Sequence, residues 1–402
     1  MSQGWNARPL SDVAQFINGL WKGETPPFVH IGVIRNTNFT KDGQLDDTDI
    51  AYIDVETKKF QKRRLQPGDL ILEKSGGGPK QPVGRVVLFD KTEGEFSFSN
   101  FTAVIRVKDP KVLDSRFLHR YLHWMYVSGR TEAMQSHSTG IRNLNGDAYK
   151  AIEVVYPSLK EQFRIVAILD EAFEGIATAK DRAEKNLRNA REVFSAVVGG
   201  LFPASRTEVA LVELADSISD GDHAPPPKAE DGVPFITISN IDKATRQIDF
   251  SDTFLVPRGY YDGLKSHRRP VAGDVLYTVT GSFGIPVLVT GDQEFCFQRH
   301  IGLIRPKQTV DAAWLTYALL SPMAFAQANQ RATGTAQRTV SLSVLRDLRL
   351  PLLPIEEQRR VAAKIAAIEN RTRELEWCLV RKLNALDELK KSLLHQAFSG
   401  QL

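Results

Sequence analysis

The sequence predicts two copies of an α/β (α+β) globular region, each followed by a long helix. The two helices pair as an antiparallel coiled coil, which makes the chain a pseudo-twofold internal repeat. Three observations carry this prediction. The first is self-similarity, sought before local structure because missing it misassigns the architecture. Residues 152–202 laid over 348–398 at a constant offset of 196 align Glu161-Gln162 with Glu357-Gln358, Arg164 with Arg360, Leu187 with Leu383, Glu192 with Glu388 and Phe202 with Phe398, without a gap. Upstream the pattern persists, with Pro67-Gly68-Asp69-Leu70-Ile71 against Ala272-Gly273-Asp274-Val275-Leu276 and Glu95 against Glu294, while the offset drifts from 205 to 199. Each half is therefore a variable region followed by a more uniform tail of fixed length.

The second observation is periodicity in the tails. Leu159, Phe163, Val166, Leu169, Phe173, Ile176, Ala179, Ala183, Leu187, Ala190, Phe194 and Val197 keep a spacing of three or four, as do Ala362, Ile365, Ile368, Thr372, Leu375, Leu379, Leu383, Leu386, Leu389, Leu393 and Ala397. That is the signature of amphipathic helices of coiled-coil type. Pro157 and Pro354 precede the helices, and Gly199-Gly200 and Gly400 are read as their stops. The third observation is length. About 40 residues at about 1.5 Å each extend roughly 60 Å, too far to bury a stripe against one small domain. The linker at 199–210 stretches at most roughly 35–40 Å, too short to return a parallel partner to its start. Antiparallel pairing follows, with a globular region expected at each end of a stiff rod.

Within the globular regions, β-branched and aromatic runs bounded by Gly and Pro predict strands at 27–33, 68–72, 84–89 and 103–107, and again at 233–238, 273–279, 285–289 and 301–305. A helix follows in each, around 115–134 and 311–329. The expected division is a globular region at 1–157, a helix at 158–200, a second globular region at 201–354 and a helix at 355–402.

Composition excludes several classes. At 402 residues, 42% hydrophobic and 25% charged, the chain is an ordinary globular protein of more than one core. No apolar stretch approaches the roughly 20 residues needed to span a bilayer, and the N-terminus lacks a signal-peptide pattern, so no membrane association and a cytoplasmic location are expected. Cys296 and Cys378 are the sole cysteines and form no CxxC pair, so a thiolate zinc site is excluded. The net charge of +4 is mild for a nucleic-acid binder. Its distribution is more telling, with basic clusters at 58–64 and 265–269 in corresponding parts of the two halves.

Catalytic grammar is missing. The stretch from Ser75 to Lys80 is glycine-rich but lacks the GxxxxGK[ST] spacing that cradles phosphates. Asp69, Glu73 and Lys74 resemble a nuclease metal site, which needs carboxylates and a lysine around one phosphate, yet the second copy keeps only Asp274. A Gly-Asp step before a strand is better explained as turn chemistry. The eight histidines show no HxH or HExxH spacing, no serine sits in GxSxG, and no glycine fingerprint for a methyl donor is present. No catalytic residue and no metal ligand is therefore assigned.

The arrangement resembles the specificity (S) subunit of a type I restriction-modification system. The resemblance is carried by Leu350-Pro-Leu-Leu-Pro-Ile-Glu-Glu-Gln-Arg-Arg-Val361, by Ser392-Leu-Leu-His-Gln-Ala-Phe-Ser-Gly-Gln-Leu402, and by the weaker copy from Val155 to Val166. It implies that each globular region is a target recognition domain reading one half of a bipartite, asymmetric site in double-stranded DNA, with the helices setting the spacer. It also implies two modification (methyltransferase) subunits, an adenine-specific activity in the complex, ATP-dependent restriction (endonuclease/translocase) subunits, and a role in phage defence. S-adenosylmethionine, ATP and Mg are then expected on those partners, with no cofactor in this chain. The second reading of the same pattern is a coiled-coil scaffold without sequence-specific DNA binding.

DNA contact draws on polar and basic side chains presented by loops. The candidates in the first copy are Lys74, Ser75, Lys80, Gln81, Arg85, Ser138, Thr139, Arg142 and Asn143. Those in the second copy are Thr278, Thr280, Ser282, Gln298, Arg299, His300, Arg331, Thr333, Gln337 and Arg338. Arg142 and Arg338 occupy the same place at the offset of 196. Glu161, Gln162, Glu357 and Gln358 read either as first-turn groups complementing helix dipoles or as contacts to the modification subunits.

Overall fold

The computed structural model describes residues 4–77, 81–138, 141–202, 207–221, 223, 226–335 and 337–402. The chain divides into two compact units, Met1–Ala183 with Arg381–Leu402, and Glu184–Val380, so each unit holds a piece of both long helices.

The first unit is organised by a four-stranded antiparallel sheet in the order Ala14–Asn18, Thr102–Val107, Asp69–Glu73, Val86–Phe89. Successive side chains of a strand point to opposite faces, and here both faces are buried. Leu70, Leu72, Val86 and Ile105 join the core built with Phe117, Leu118, Tyr121 and Leu122 of the helix Ser115–Val127. Ile71, Val87 and Val104 face the opposite way, into a second core with Ile34, Phe39, Phe96 and Phe98. That two-sided burial is why these strands read as continuous apolar runs. The second core belongs to a three-stranded mixed sheet, Ala51–Glu56, Phe28–Ile34, Phe96–Phe98, whose last pair is parallel. Each fully buried Leu, Ile or Phe contributes about 1.5–3 kcal/mol of transfer free energy.

The second unit repeats this plan. Its main sheet runs Ala215–Asp220, Ile301–Pro306, Val275–Thr278, Pro286–Leu288, and its mixed sheet runs Phe254–Val256, Val233–Ile236, Cys296–Phe297. Val275, Tyr277 and Ile304 pack on Trp314, Leu315, Ala318 and Leu319, while Leu276, Val287 and Leu303 face Ile236, Phe295 and Phe297. The repeat therefore extends from the tails to the sheet order.

The long helices are Leu159–Leu201 and Ile355–Ser399. Within the first unit Arg164 donates to the backbone oxygen of Leu402 at 2.9 Å and Lys180 pairs with Asp387 at 2.7 Å, so the partner's numbering falls as the first helix's rises. The pairing is antiparallel, and Ile165, Val166 and Leu169 share a core with Leu394, Ala397 and Phe398. In the second unit Arg191 pairs with Glu376 at 2.8 Å, and Val198 and Phe202 share a core with Ala362 and Ile365. No helix among the described residues is long and apolar enough to cross a membrane.

Three expectations are corrected. The helix expected at 311–329 is two, Ala312–Leu320 and Pro322–Arg331, because Ser321 caps the second through Ala324 N–H and Pro322 occupies its first turn. The helix expected at 115–134 stops at Val127, and a 3-10 turn covers Glu132–Met134. Gly199-Gly200 does not end the first long helix. It runs on to Leu201, and a Cβ at Gly199 would lie 3.5 Å from Pro322, so tertiary packing carries the helix through two poor helix formers.

Candidate nucleic-acid interface

In the first unit the candidate residues converge on one small sheet. The hairpin Gln135–Ser138 and Ile141–Leu144 adds Ser75–Gly77 as a third strand, pairing Arg142 with Gly77 and Asn143 with Ser75. Ser75 Oγ donates to Asn143 Oδ1 at 2.5 Å, so two segments separated by 68 residues present one polar surface. Asn36 Nδ2 donates to the Ser75 carbonyl at 2.5 Å and fixes the strand from the other side. Gly76 makes this possible: its φ is +107°, and a Cβ there would stand 2.9 Å from Asn36 Nδ2. Lys74, half-buried, extends toward Asn18 Oδ1 at 3.4 Å, and burial draws its ammonium pKa down. Gln81 is exposed. Lys80 and Thr139, together with the side chain of Ser138, lie outside the described residues.

The second unit makes the equivalent convergence with different residues. Gly281, at the place of Gly76, also has positive φ, +69°, and donates to the carbonyl of Arg338. Thr280 bridges Thr339, and Thr333 bridges Thr339 in turn. Around this point a cleft of ≈ 350 Å³ is lined by Thr280, Arg299, His300 and Gln337, together with Asp220 and His223, which sequence reasoning did not single out. His223 Nε2 lies 2.9 Å from Asp220 Oδ2. Asp220 and His223 are only three residues apart, but nothing local places that pair, or Asn36, beside the candidate residues, because only the fold brings their segments near. Arg299, Thr333, Gln337 and Ser282 are exposed, and Gln298 is half-buried. Exposed hydroxyls, amides and guanidinium groups on loops are the donor and acceptor set that reads base edges and phosphates.

Several candidates are committed inside the chain instead. Arg85 is buried; its guanidinium makes a two-pronged pair with Glu73 at 2.7 and 2.8 Å and donates to the carbonyls of Phe39 and Asn36. Its role as read from sequence is therefore corrected from surface contact to closure of the loop base. Thr278 is fully buried and does the same work, donating to the Ser282 carbonyl while accepting from Ile285 N–H. Arg331 pairs with Asp347 at 2.8 Å, and Arg338 donates to Asn329 Oδ1 at 2.6 Å and lies over the ring of Phe283, so both exposed guanidiniums are held by local partners.

The Glu-Gln pairs separate into two functions. Gln162 and Gln358 are buried, and the partner-contact reading is corrected for both. Gln162 Oε1 accepts from Asp114 N–H at 2.8 Å, and its Nε2 donates to the carbonyls of Val112 and Pro157 at 2.9 Å each. Gln358 repeats this with Asp311 N–H at 2.7 Å and the carbonyls of Thr309 and Leu353. Asp114 and Asp311 are the N-caps of the following helices, so each glutamine ties the start of a long helix to the start of the helix that covers the sheet. Glu161 is half-buried and paired with Arg164, whose guanidinium, bonded to it, holds the carboxyl below its ordinary range. Glu357 pairs with Arg360 at 3.8 Å.

The nuclease-like carboxylates are also structural. Asp69 takes a two-pronged pair from Arg106 and accepts from Gln66 N–H; Asp274 takes the same from Arg305 and Val271 N–H. Both are buried, and neither has an open face toward a phosphate.

Comparison with known proteins gives a consistent answer. A family model described as type I restriction modification DNA specificity domain matches residues 2–186 and 219–384. The chain is 23% identical over 432 residues to the EcoKI type I restriction enzyme specificity subunit of Escherichia coli K12, covering 100% of this chain and 90% of that one. A solved structure from a study of complex assembly and conformational transition of the type I R-M system superposes with a TM-score of 0.80 at 18% identity, covering 100% and 99% of the two chains. The HsdS subunit from Thermoanaerobacter tengcongensis gives 0.59 at 17% identity, covering 100% and 98%. At these identities the structural matches establish the fold.

Proposed function

The chain belongs to the family of type I restriction-modification DNA specificity domains, and we propose that each of its two units reads one half of a bipartite asymmetric site in double-stranded DNA. The observation that carries this reading is the repetition of one device with different side chains. Each unit opens a loop at a positive-φ glycine, pairs it with a returning hairpin or loop, and presents a polar set there: half-buried Ser75, Arg142 and Asn143 in one, and exposed Arg299 and Gln337 with half-buried His300 and buried Thr280 in the other. A common frame with unlike readers suits a site whose halves differ in sequence.

The chain supplies recognition and assembly, and the chemistry belongs to partners. In this reading the antiparallel helices fix the gap between half-sites and dock two modification subunits, which bind S-adenosylmethionine and act on an adenine taken out of the stack. Restriction subunits that use ATP and Mg join through them. The half-buried carboxylate Glu161 at a helix start, paired with the exposed Arg164, supports such a dock. The buried glutamines do not.

The test is strand-resolved sequencing of modified bases in a methylation-deficient host co-expressing this chain with the modification subunit encoded beside it. A bipartite motif with one methyladenine in each half and a fixed gap is expected. Co-purification of the two chains without any modified motif would overturn the reading in favour of a scaffold.

A further inference from the structure

Each unit presses one tight turn of its globular region against its own stretch of the long helices, and the two contacts are built with opposite charge. In the first unit the turn closes between Phe39 and Leu45, with Gly43 at φ +74°. Its tip Asp42 accepts from Lys390 of the second long helix at 2.6 Å, and Lys390 Nζ also lies 5.1 Å from the ring centre of Phe173 on the first. The turn is held close from behind: the Gly43 carbonyl lies 2.9 Å from His119 Nε2, and a Cβ at Gly43 would stand 2.6 Å from His123 Nδ1.

In the second unit the corresponding turn is the hairpin from Ile241 to Ile248. Its tip Arg246 pairs with Glu369 of the second long helix and lies over the ring of Phe194 on the first, at 5.8 Å. Arg246 holds φ 53°, the sole non-glycine residue with positive φ among the described residues. Such a conformation persists where surrounding contacts over-determine it. Arg373 donates to Thr245 O at 2.7 Å and to Glu369 at 2.6 Å, and Tyr317 donates to Glu369 at 2.6 Å.

The repeat makes the relation explicit. At the offset of 196, Phe173 corresponds to Glu369 and Phe194 to Lys390. Each turn tip therefore meets a charge on the second long helix with an aromatic ring of the first beside it, drawn from the same two repeat positions, but the ring and the charge have exchanged repeat positions and the charge has changed sign. An acidic tip meets a lysine in one unit, and a basic tip meets a glutamate in the other. Exchanging the tips would set Asp42 against Glu369 and Arg246 against Lys390.

We propose that these turns are charge-coded keys that seat each globular region on its own helical stretch, making Asp42, Lys390, Arg246 and Glu369 positioning residues for DNA reading. The positioning role rests on the DNA-reading function above; the charge code itself does not. The test uses the full chain bound to its modification subunit, with Asp42→Arg, Lys390→Glu and the double variant. One readout is thermal unfolding as a double-mutant cycle. The other is the ratio of methylation at sites of native gap to sites with a gap one base longer or shorter. Each single variant is expected to lower that ratio by about 3- to 10-fold, and the double to return it to within about twofold, the range for a coupled, partly exposed charge pair that is reversed rather than deleted. A general loss of folding would lower both kinds of site together and leave the ratio unchanged. Additive unfolding effects, or a double variant no better than the worse single, would overturn the code. If the unaltered chain gave no bipartite motif, the DNA-reading function would fall while the unfolding cycle still decided the code.

Discussion

The loop bases of the two units occupy the same place in the repeat and are closed in unlike ways. Strand Asp69–Glu73 ends in a carboxylate that is buried against Arg85, whereas strand Val275–Thr278 ends in a hydroxyl that ties Ser282 and Ile285 together. The first loop is five residues longer between its two positive-φ glycines, Gly76 and Gly84 against Gly281 and Gly284, because 84 − 76 is 8 and 284 − 281 is 3. A short loop can be closed by one small side chain beside it. A longer one here is closed by a cross-strand ion pair that also satisfies the carbonyls of Phe39 and Asn36. The fold accommodates unlike loops at the same place because the closure beneath each is built differently.

The sharpest way to break this comparison is to remove each closure. Arg85→Ala leaves Glu73 buried without its partner and is expected to destabilise the first unit by about 3–5 kcal/mol. Thr278→Val removes a neutral donor and acceptor and is expected to cost the second unit about 1–3 kcal/mol. Amide hydrogen exchange read peptide by peptide separates the units. Equal losses would show that the ion pair is no more than a replaceable contact.

Gln162→Ala and Gln358→Ala test where the units are alike. Each strands one N–H and two carbonyls, so about 1–3 kcal/mol is expected in its own unit with little change in the other. A loss of partner binding without a change in exchange would restore the partner-contact reading.

The response to pH separates the units again. Burial holds His119 down to about 4 and His123 to about 3, and at the matching cap offset of 197 the second unit carries Thr316 and Leu320, which do not titrate. Both histidines are neutral in the fold and ionise near 6.5 when unfolded. The unfolded chain thus binds more protons as pH falls below about 6.5, and stability drops through that window toward pH 3–4, by up to about 1.4 kcal/mol per pH unit for each histidine. Thermal unfolding from pH 7 to 5 should weaken the first unit more than the second, and His123→Leu should flatten the difference.

The smallest stability effect belongs to the side chains proposed to read the bases. Arg299→Ala, at an exposed position lining the second unit's cleft, is expected to shift stability by no more than about 0.5 kcal/mol. Its effect should fall on the bases accepted in one half-site, read from the modified motif.

Much of the frame was legible in the sequence because it is periodic. The helices announce themselves by their three-or-four spacing, the repeat by its constant offset, and the sheet by apolar runs later found buried on both faces. What escaped depends on contacts distant in sequence. Gln162 and Gln358 sit in the polar first turn of a helix, where nothing local signals that the loop before the covering helix will bury them. Arg85 could have been separated from the surface arginines only by knowing the hairpin register that sets it beside Glu73. Asp220, His223 and Asn36 join the candidate surfaces from elements that carry no motif. The break at Ser321-Pro322, by contrast, was written in the sequence as a cap followed by a first-turn proline.

In the proposed function the two similar units read their half-sites independently. The direct measurement replaces residues 203–354 with the corresponding region of a relative and sequences modified bases strand by strand in a methylation-deficient host expressing the modification subunit. A motif that changes in one half and keeps the other half is the predicted result. A motif unchanged, or changed in both halves, would contradict it.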